Sequence, residues 1–183
     1  MIRTLIRKVR SFAGLPPFTK VWLVPAWLAL GASRTLILAV PFRTLAPRLG
    51  ASQGTAAHAP LLTPAQEARA RAIGRTIRLA ARYTPWTSNC FPQAVVARVM
   101  LGMHGIPYAI HFGLMPQPRG DGPHVQRPEP RGSGAHAHTH APDPRGAAPT
   151  AMAAHAWVVA GRVPVTGGHS FGHYTVVGVF TGP

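Results

Sequence analysis

The 183-residue sequence has very few cysteines and acidic residues, and both shortages narrow what the chain can do. Cys90 is the only cysteine, so no internal disulfide can form, and chemistry or packing must explain the thiol. Four Asp and Glu residues against nineteen Lys and Arg residues give a formal net charge of +15. This imbalance predicts an anionic partner, which could be nucleic acid, anionic lipid or an acidic polypeptide.

The sequence contains no recognisable nucleic-acid-binding module and no glycine-rich phosphate loop. Lysine is nearly absent, and the abundant arginine, alanine, glycine and proline are as typical of GC-rich coding as of selection for phosphate contacts. We therefore expect no nucleic-acid partner and no cofactor bound by this chain.

A long uninterrupted hydrophobic run is also lacking. The basic N-terminus is not followed by a clean apolar core with a cleavage site, so no secretory signal is expected. Pro25 and Arg34 interrupt the most apolar stretch, residues 21–42, which favours a buried helical pair over a membrane span. An interfacial helix anchored by Trp22 and Trp27 is the alternative. We expect a cytoplasmic protein, with peripheral membrane association as the alternative.

Residues 1–60 are predicted to form a helical N-terminal region that ends in a linker. Prolines at positions 16, 17, 41 and 47 divide its first 50 residues into two or three short helices. Residues 50–60 are mostly small, which is typical of a linker. The remaining residues, 61–183, are predicted to form one domain.

A capping sequence marks the first helix of this domain. Thr63, Pro64 and Gln66 match an N-cap, a proline at the first helical position and a capping-box glutamine. The helix is predicted to run to about Tyr83. Its arginines are spread around the axis, which favours a solvated face over a binding stripe.

A second helix is predicted to begin near Cys90 and to end near His104. Gly105 suits a left-handed C-cap, and a proline two residues later prevents continuation. Val95, Val99 and Met103 follow helical spacing, so we expect them to face the core.

Four strands are predicted after these helices, at residues 108–114, 155–160, 162–165 and 174–180. Helices followed by an antiparallel sheet form an α+β fold. Residues 116–151 are rich in proline, glycine, arginine and histidine, and we expect them to form a disordered insertion. Histidines 136, 138 and 140 within it are typical of adventitious metal binding, and no dedicated metal site is expected.

Cys90 has a position that favours nucleophilic chemistry. Backbone N–H groups and the dipole at a helix N-terminus stabilise a thiolate, which is the nucleophilic form of cysteine. His155 follows in a strand-like segment, and a cysteine with a downstream histidine is a candidate protease-type dyad. The alternative is that Cys90 is a small buried apolar side chain.

Three motifs in a fixed order resemble one protein family. They are Trp86-Thr87-Ser88-Asn89-Cys90-Phe91-Pro92-Gln93-Ala94, then Gly105-Ile106-Pro107 before a strand, then Ala154-His155-Ala156-Trp157-Val158 with Gly161-Arg162. Together they are similar to the lasso-peptide biosynthesis B2 proteins, which are transglutaminase-like leader peptidases. The resemblance covers about residues 60–180 without the insertion.

This resemblance implies a papain-like, transglutaminase-like cysteine peptidase that removes the leader from a ribosomally made lasso precursor. Cys90 would be the nucleophile and His155 its general base. Backbone N–H groups near Cys90, with a side chain of Asn89, Trp86 or Gln93, would stabilise the oxyanion.

The resemblance also implies partners. They are the lasso precursor peptide, a leader-binding recognition protein and an asparagine-synthetase-like macrolactam cyclase that uses ATP. We expect the leader-binding protein to be a separate chain, because residues 1–60 show no strand-rich winged-helix pattern.

The sequence departs from the family pattern at the third catalytic position. The family has an acid about a dozen residues after the histidine, where this chain has Thr166-Gly167-Gly168. The orienting group is therefore left open among Thr166, His169, Ser170 and a backbone carbonyl, since neutral orienters occur in Cys-His-Asn sites. We expect His104 and His111 to be structural, whereas His169 and His173 are predicted to border the cleft.

Three functions remain open from sequence alone. The first is the leader peptidase, and the second is acyl transfer or amide hydrolysis on another substrate by the same fold. The third is a non-catalytic basic adaptor at the membrane surface.

Overall fold

The computed structural model describes residues 14–56, 59–86, 88–117, 151–168 and 170–183. The helices are α1 (Pro17–Ala39), α2 (Phe42–Leu45), α3 (Pro64–Arg82) and α4 (Cys90–Met103), with 3₁₀ turns at Ala46–Arg48 and Ser170–His173. The strands are β1 (Ala51–Ser52), β2 (Tyr108–Gln117), β3 (Ala151–Ala160), β4 (Val163–Thr166) and β5 (Thr175–Gly182). The predicted insertion, apart from its ends, and the basic residues before position 14 lie outside the described residues.

The five strands form one antiparallel sheet in the order β1-β5-β2-β3-β4, with β4 at an edge. Its core joins the sheet to the helices: Ile73 and Ile77 of α3, Leu101 of α4 and Val158 of β3 have no exposed surface. The predicted α+β fold, with a cysteine-bearing helix packed on an antiparallel sheet, is confirmed.

Side chains along β3 alternate between the two faces of the sheet. Ala156 and Val158 belong to the core shared with the helices. His155 and Trp157 therefore project from the opposite face. His155 lies directly across from Gly113 of β2.

The N-terminal region contains two helices separated near Pro41, as expected, but the first, α1, has 23 residues and is not short. α1 continues through Pro25 because Ala26 and Leu30, which follow it, are buried in the core and hold the helix in place. Val21 and Leu28 remain largely exposed. By length and composition alone α1 could cross a membrane, a property it shares with signal sequences and buried core helices.

Both helices predicted after residue 60 are confirmed. The capping box at Thr63 is present in full, with Gln66 bonding back to the N-cap. The predicted inner face of α4 is wrong, since Val99 and Met103 are 42% and 57% exposed. α4 is apolar around most of its circumference, so its pattern could not select a face. The buried face consists of small and medium residues that allow close packing: Ala94, Val96, Ala97, Met100 and Leu101.

Part of the segment predicted as a linker contributes to the sheet. Ala51 and Ser52 pair with Thr181 and Phe180 of β5. Gly50 permits this approach because its φ is +139° and a side chain there would overlap the backbone of Thr181.

Candidate active site

Cys90 is the first residue of α4 and is partly buried against the core. Asn89 is the N-cap residue, and its exposed side chain makes no capping hydrogen bond. The next turn is fixed by Gln93, whose side-chain amide donates to the carbonyl of Ser88 at 2.8 Å. The thiol therefore lies where α4 presents its unpaired N–H groups.

The loop before Cys90 is held by aromatic packing. Trp86 lies against Trp27 of α1, with ring centroids 4.9 Å apart, and against Gly31. Its indole nitrogen is fully buried and has no hydrogen-bond partner among the described residues. Of the side chains considered for the oxyanion, Trp86 has its indole nitrogen buried and Gln93 already bonds the backbone, whereas Asn89 is exposed next to Cys90 in the chain.

His155 is held by the backbone of the segment that follows β4. Its Nε2 atom lies 2.8 Å from the carbonyl oxygen of Gly167. A carbonyl can only accept, so Nε2 carries the proton and the neutral ring has its lone pair on Nδ1. Nδ1 is therefore the atom that can accept a proton.

Two aromatic rings, which also lie close to each other, pack against this imidazole. Trp157 stacks on His155 at a centroid distance of 5.9 Å, and Tyr174 approaches it to 5.0 Å. Gly167 and Gly113 make room for Trp157, because a side chain at either position would overlap it. The orientation of His155 is thus fixed by its hydrogen bond and by ring packing.

Cys90 and His155 lie in adjoining parts of the fold. Phe91 packs on Phe112 at 5.5 Å, and Phe112 pairs across the sheet with Ala156, the neighbour of His155. Cys90 packs on the helix-covered side, whereas His155 projects from the other face. Within the described residues no hydrogen bond joins the thiol to the imidazole. The structure therefore does not bring the thiol and the imidazole into contact, and the dyad stays a prediction.

A backbone carbonyl, and not a carboxylate, contacts His155 in the part of the chain that the structure describes. Glu67 is the only carboxylic acid side chain among the described residues, and it pairs with Arg71 on α3. Of the orienting groups left open by the sequence, the backbone carbonyl of Gly167 is the one seen in contact with His155. Thr166 has a buried hydroxyl without a partner, and His169 lies outside the described residues.

The other described histidines do not gather into a second site. His104 bonds the carbonyl of Met100 and packs on two rings of α1, which fits the expected structural role. His111 is buried and stacked on Trp157, as a structural residue would be. His173 is exposed in the 3₁₀ turn before β5. No group of three metal-ligating side chains occurs within the described ranges.

Sequence reasoning allowed a backbone carbonyl as the orienting group but did not single out Gly167, and it missed the ring packing around His155. The available signal was Gly167-Gly168 directly after a predicted strand. Both residues adopt positive φ, +91° and +70°, and the resulting turn directs the carbonyl at the imidazole.

Comparison with known proteins gives one match, a family model described as the transglutaminase-like superfamily, over residues 36–124. The matched segment includes Cys90 and ends before His155. No curated protein and no solved structure matches the chain. The superfamily includes cysteine peptidases and acyltransferases, and its members are typically cysteine-dependent enzymes. The chain is thus similar to the transglutaminase-like superfamily over just under half of its length, and its α+β fold is compatible with that similarity.

Proposed function

We propose that this protein is a cysteine peptidase that removes the leader from a ribosomally made lasso precursor. The observation that carries the proposal is the hydrogen bond from His155 Nε2 to Gly167, which leaves Nδ1 as a base. His155 thus has the tautomer that a general base needs, and Cys90, the only cysteine of the chain, begins a helix. The ordered motifs around Cys90, Gly105 and His155 supply the substrate class by resemblance.

The proposed reaction requires His155 to reach the Cys90 thiol, where its Nδ1 atom takes the thiol proton. The thiolate attacks the carbonyl carbon of the scissile peptide bond, and the oxyanion is stabilised by N–H groups at the start of α4 and by Asn89. The C–N bond then breaks as protonated His155 gives its proton to the leaving amine. Water, deprotonated by the same imidazole, hydrolyses the thioester and restores the thiol.

The carbonyl of Gly167 has a specific part in this scheme. It holds one ring tautomer, and its partial negative charge stabilises the imidazolium less strongly than a carboxylate would. The proposed peptidase therefore depends on backbone geometry where related sites depend on an acidic side chain.

The proposed partners are those implied by the resemblance. The precursor peptide is the substrate, a separate protein binds its leader, and an asparagine-synthetase-like cyclase closes the macrolactam with ATP. In this proposal the cyclase, and not this chain, binds and uses ATP.

The direct test combines the wild-type protein with the precursor, leader-binding protein and cyclase encoded beside it. Leader release is followed by mass spectrometry, with Cys90→Ala and Cys90→Ser as matched variants of near-native volume. The proposal expects release by the wild type alone. Equal release by the wild type and both variants would contradict it.

A non-catalytic membrane adaptor is the second candidate, and the surface of α1 favours it. Val21, Val24 and Leu28 follow helical spacing and are 68%, 62% and 58% exposed. Binding to anionic vesicles together with no leader release would favour this candidate over the peptidase.

A further inference from the structure

Four arginines surround one surface cavity on the side of the domain formed by α3 and β4. The cavity has a volume of about 470 Å³. It is lined by Arg71, Arg75 and Arg78 of α3, by Arg162 of the β3–β4 turn, and by Val163, Pro164 and Gly168. Three of the five α3 arginines therefore line one cavity, and all three are solvent-exposed, as expected for a solvated face.

Few acidic side chains compensate the positive charge of this cavity, which we call the arginine groove. Arg71 pairs with Glu67 at 3.4 Å, and Glu67 is the only carboxylic acid side chain among the described residues. Arg71 and Arg75 are one helical turn apart, a spacing at which like charges destabilise a helix. An anionic ligand would relieve this repulsion.

The groove has a rigid wall. Arg78 donates from Nη1 to the carbonyl of Val165 at 3.1 Å, which ties α3 to the edge strand. Gly74 allows this close approach, because a side chain there would press on the same carbonyl. Since α3 covers β4 at this point, a ligand would be recognised by arginine side chains and not by adding a strand to the sheet.

The groove ends beside the predicted catalytic histidine. Gly168 lines the cavity and directly follows Gly167, whose carbonyl bonds His155. An extended polypeptide lying in the groove could therefore continue past Gly168 toward His155. Gly168, which lines the groove, and Gly167, which contacts the imidazole, are neighbours in the chain.

We propose that this arginine groove binds an acidic segment of the polypeptide substrate. The proposal deepens the proposed peptidase function and rests on it for the identity of the substrate. Guanidinium groups form bidentate hydrogen bonds with carboxylates, and side chains of successive Asp or Glu residues can reach several arginines. None of the described residues that line the cavity is aromatic, so this lining offers no stacking surface of the kind that holds single-stranded nucleic acids.

The test measures binding without turnover. Full-length protein carrying Cys90→Ala is titrated against a fluorescein-labelled peptide of ten glutamates, a ten-glutamine peptide and a ten-nucleotide thymidine strand. The groove variant adds Arg71→Gln, Arg75→Gln and Arg162→Gln, and leaves Arg78 in place because it bonds the backbone. The control variant adds Arg43→Gln, Arg48→Gln and Arg82→Gln, which remove the same charge elsewhere.

The groove variant should lose about tenfold or more in affinity for the glutamate peptide, and the control about twofold or less. Replacing the same three groove residues with lysine keeps the charge but removes the bidentate pairing, so it should retain only part of the affinity. Circular dichroism verifies that each variant is folded. Equal losses in the groove and control variants would overturn the proposal, as would tighter groove-dependent binding of the thymidine strand. The binding test uses Cys90→Ala, which does not cleave substrate, so its result does not depend on turnover. Failure of the wild type to cleave the leader in a separate assay would therefore count against the peptidase function and not against the arginine groove.

Discussion

His155 Nε2 donates a hydrogen bond to the carbonyl of Gly167 at 2.8 Å, twelve residues further along the chain. The contact requires a turn that only glycine adopts without strain, since Gly167 has a φ of +91°. It also requires an absent side chain, because a Cβ on Gly167 would overlap Trp157. The orientation of the imidazole thus depends on a residue that has no side chain.

Gly167→Ala should lower both stability and activity. Positive φ and the overlap with Trp157 act together, so we expect a loss of about 3 kcal/mol or more in the free energy of unfolding. Gly168→Ala is the matched control, with a φ of +70° and open space around it, and should cost about 1 kcal/mol. Urea denaturation measures both. Equal losses in the two variants would contradict the account of Trp157 packing.

Thr166→Val should leave leader release unchanged. The Thr166 hydroxyl is buried without a hydrogen-bond partner, so its removal should be neutral or stabilise the fold by up to about 1 kcal/mol. Thermal unfolding and the cleavage assay test the two parts separately. Complete loss of cleavage in a folded Thr166→Val protein would show that the hydroxyl, and not the carbonyl of Gly167, positions the base.

Gly74→Ala and Gly102→Ala should change stability in opposite directions. Alanine in a helix interior gains about 1 kcal/mol over glycine, and Gly102 on α4 has nothing within 4 Å of an added Cβ. At Gly74 the new methyl would press on the carbonyl of Val165, and the resulting strain of about 1 to 3 kcal/mol should outweigh the gain. Stabilisation by both substitutions, measured by denaturant titration, would contradict the close packing of α3 on β4.

Stability should fall in strongly alkaline solution because of Tyr108. Burial raises the pKa of this phenol above its usual value of 10.0, although nearby Arg98 partly offsets the rise. The folded protein holds the proton more tightly than the unfolded chain, so the stabilisation is complete below pH 10 and is lost as pH rises through the folded pKa.

Tyr108→Phe supplies the comparison for this pH dependence. The variant should be less stable by about 1 kcal/mol at neutral pH, because it loses a hydrogen bond to the carbonyl of Leu49. Its unfolding free energy should decline less between pH 9 and pH 11 than that of the wild type. Parallel curves for the two proteins would show that another group controls the alkaline transition.

Local signals in the sequence predicted much of the fold. The capping box at Thr63 and the glycine C-cap at Gly105 are set by nearby backbone groups, and the structure has both helix ends where they were expected. The buried face of α4 and the continuity of α1 through Pro25 depend on tertiary packing, which a local pattern does not encode. The predicted domain boundary at residue 61 stays a prediction, although α1 packs into the same core as α3 and α4.

In the candidate site, too, local sequence predicted some features, whereas tertiary packing determines the others. Cys90 was predicted at a helix start from local sequence, and the structure has it there. The partner of His155 could not be predicted by searching for side chains, because it is a backbone carbonyl directed by two glycines. The arginine groove was missed because Arg162 joins the α3 arginines only through the packing of β4.

Alkylation of the Cys90 thiol is the sharpest test of whether His155 activates it. The chain has one cysteine, so the rate of iodoacetamide labelling at pH 7 reports on Cys90 alone. His155→Ala should be labelled about tenfold or more slowly than the wild type, because the imidazole that accepts the thiol proton is gone. His104→Ala, which removes a histidine bonded elsewhere, should label at the wild-type rate. Equal rates for wild type and His155→Ala in folded protein would contradict the pairing of Cys90 with His155.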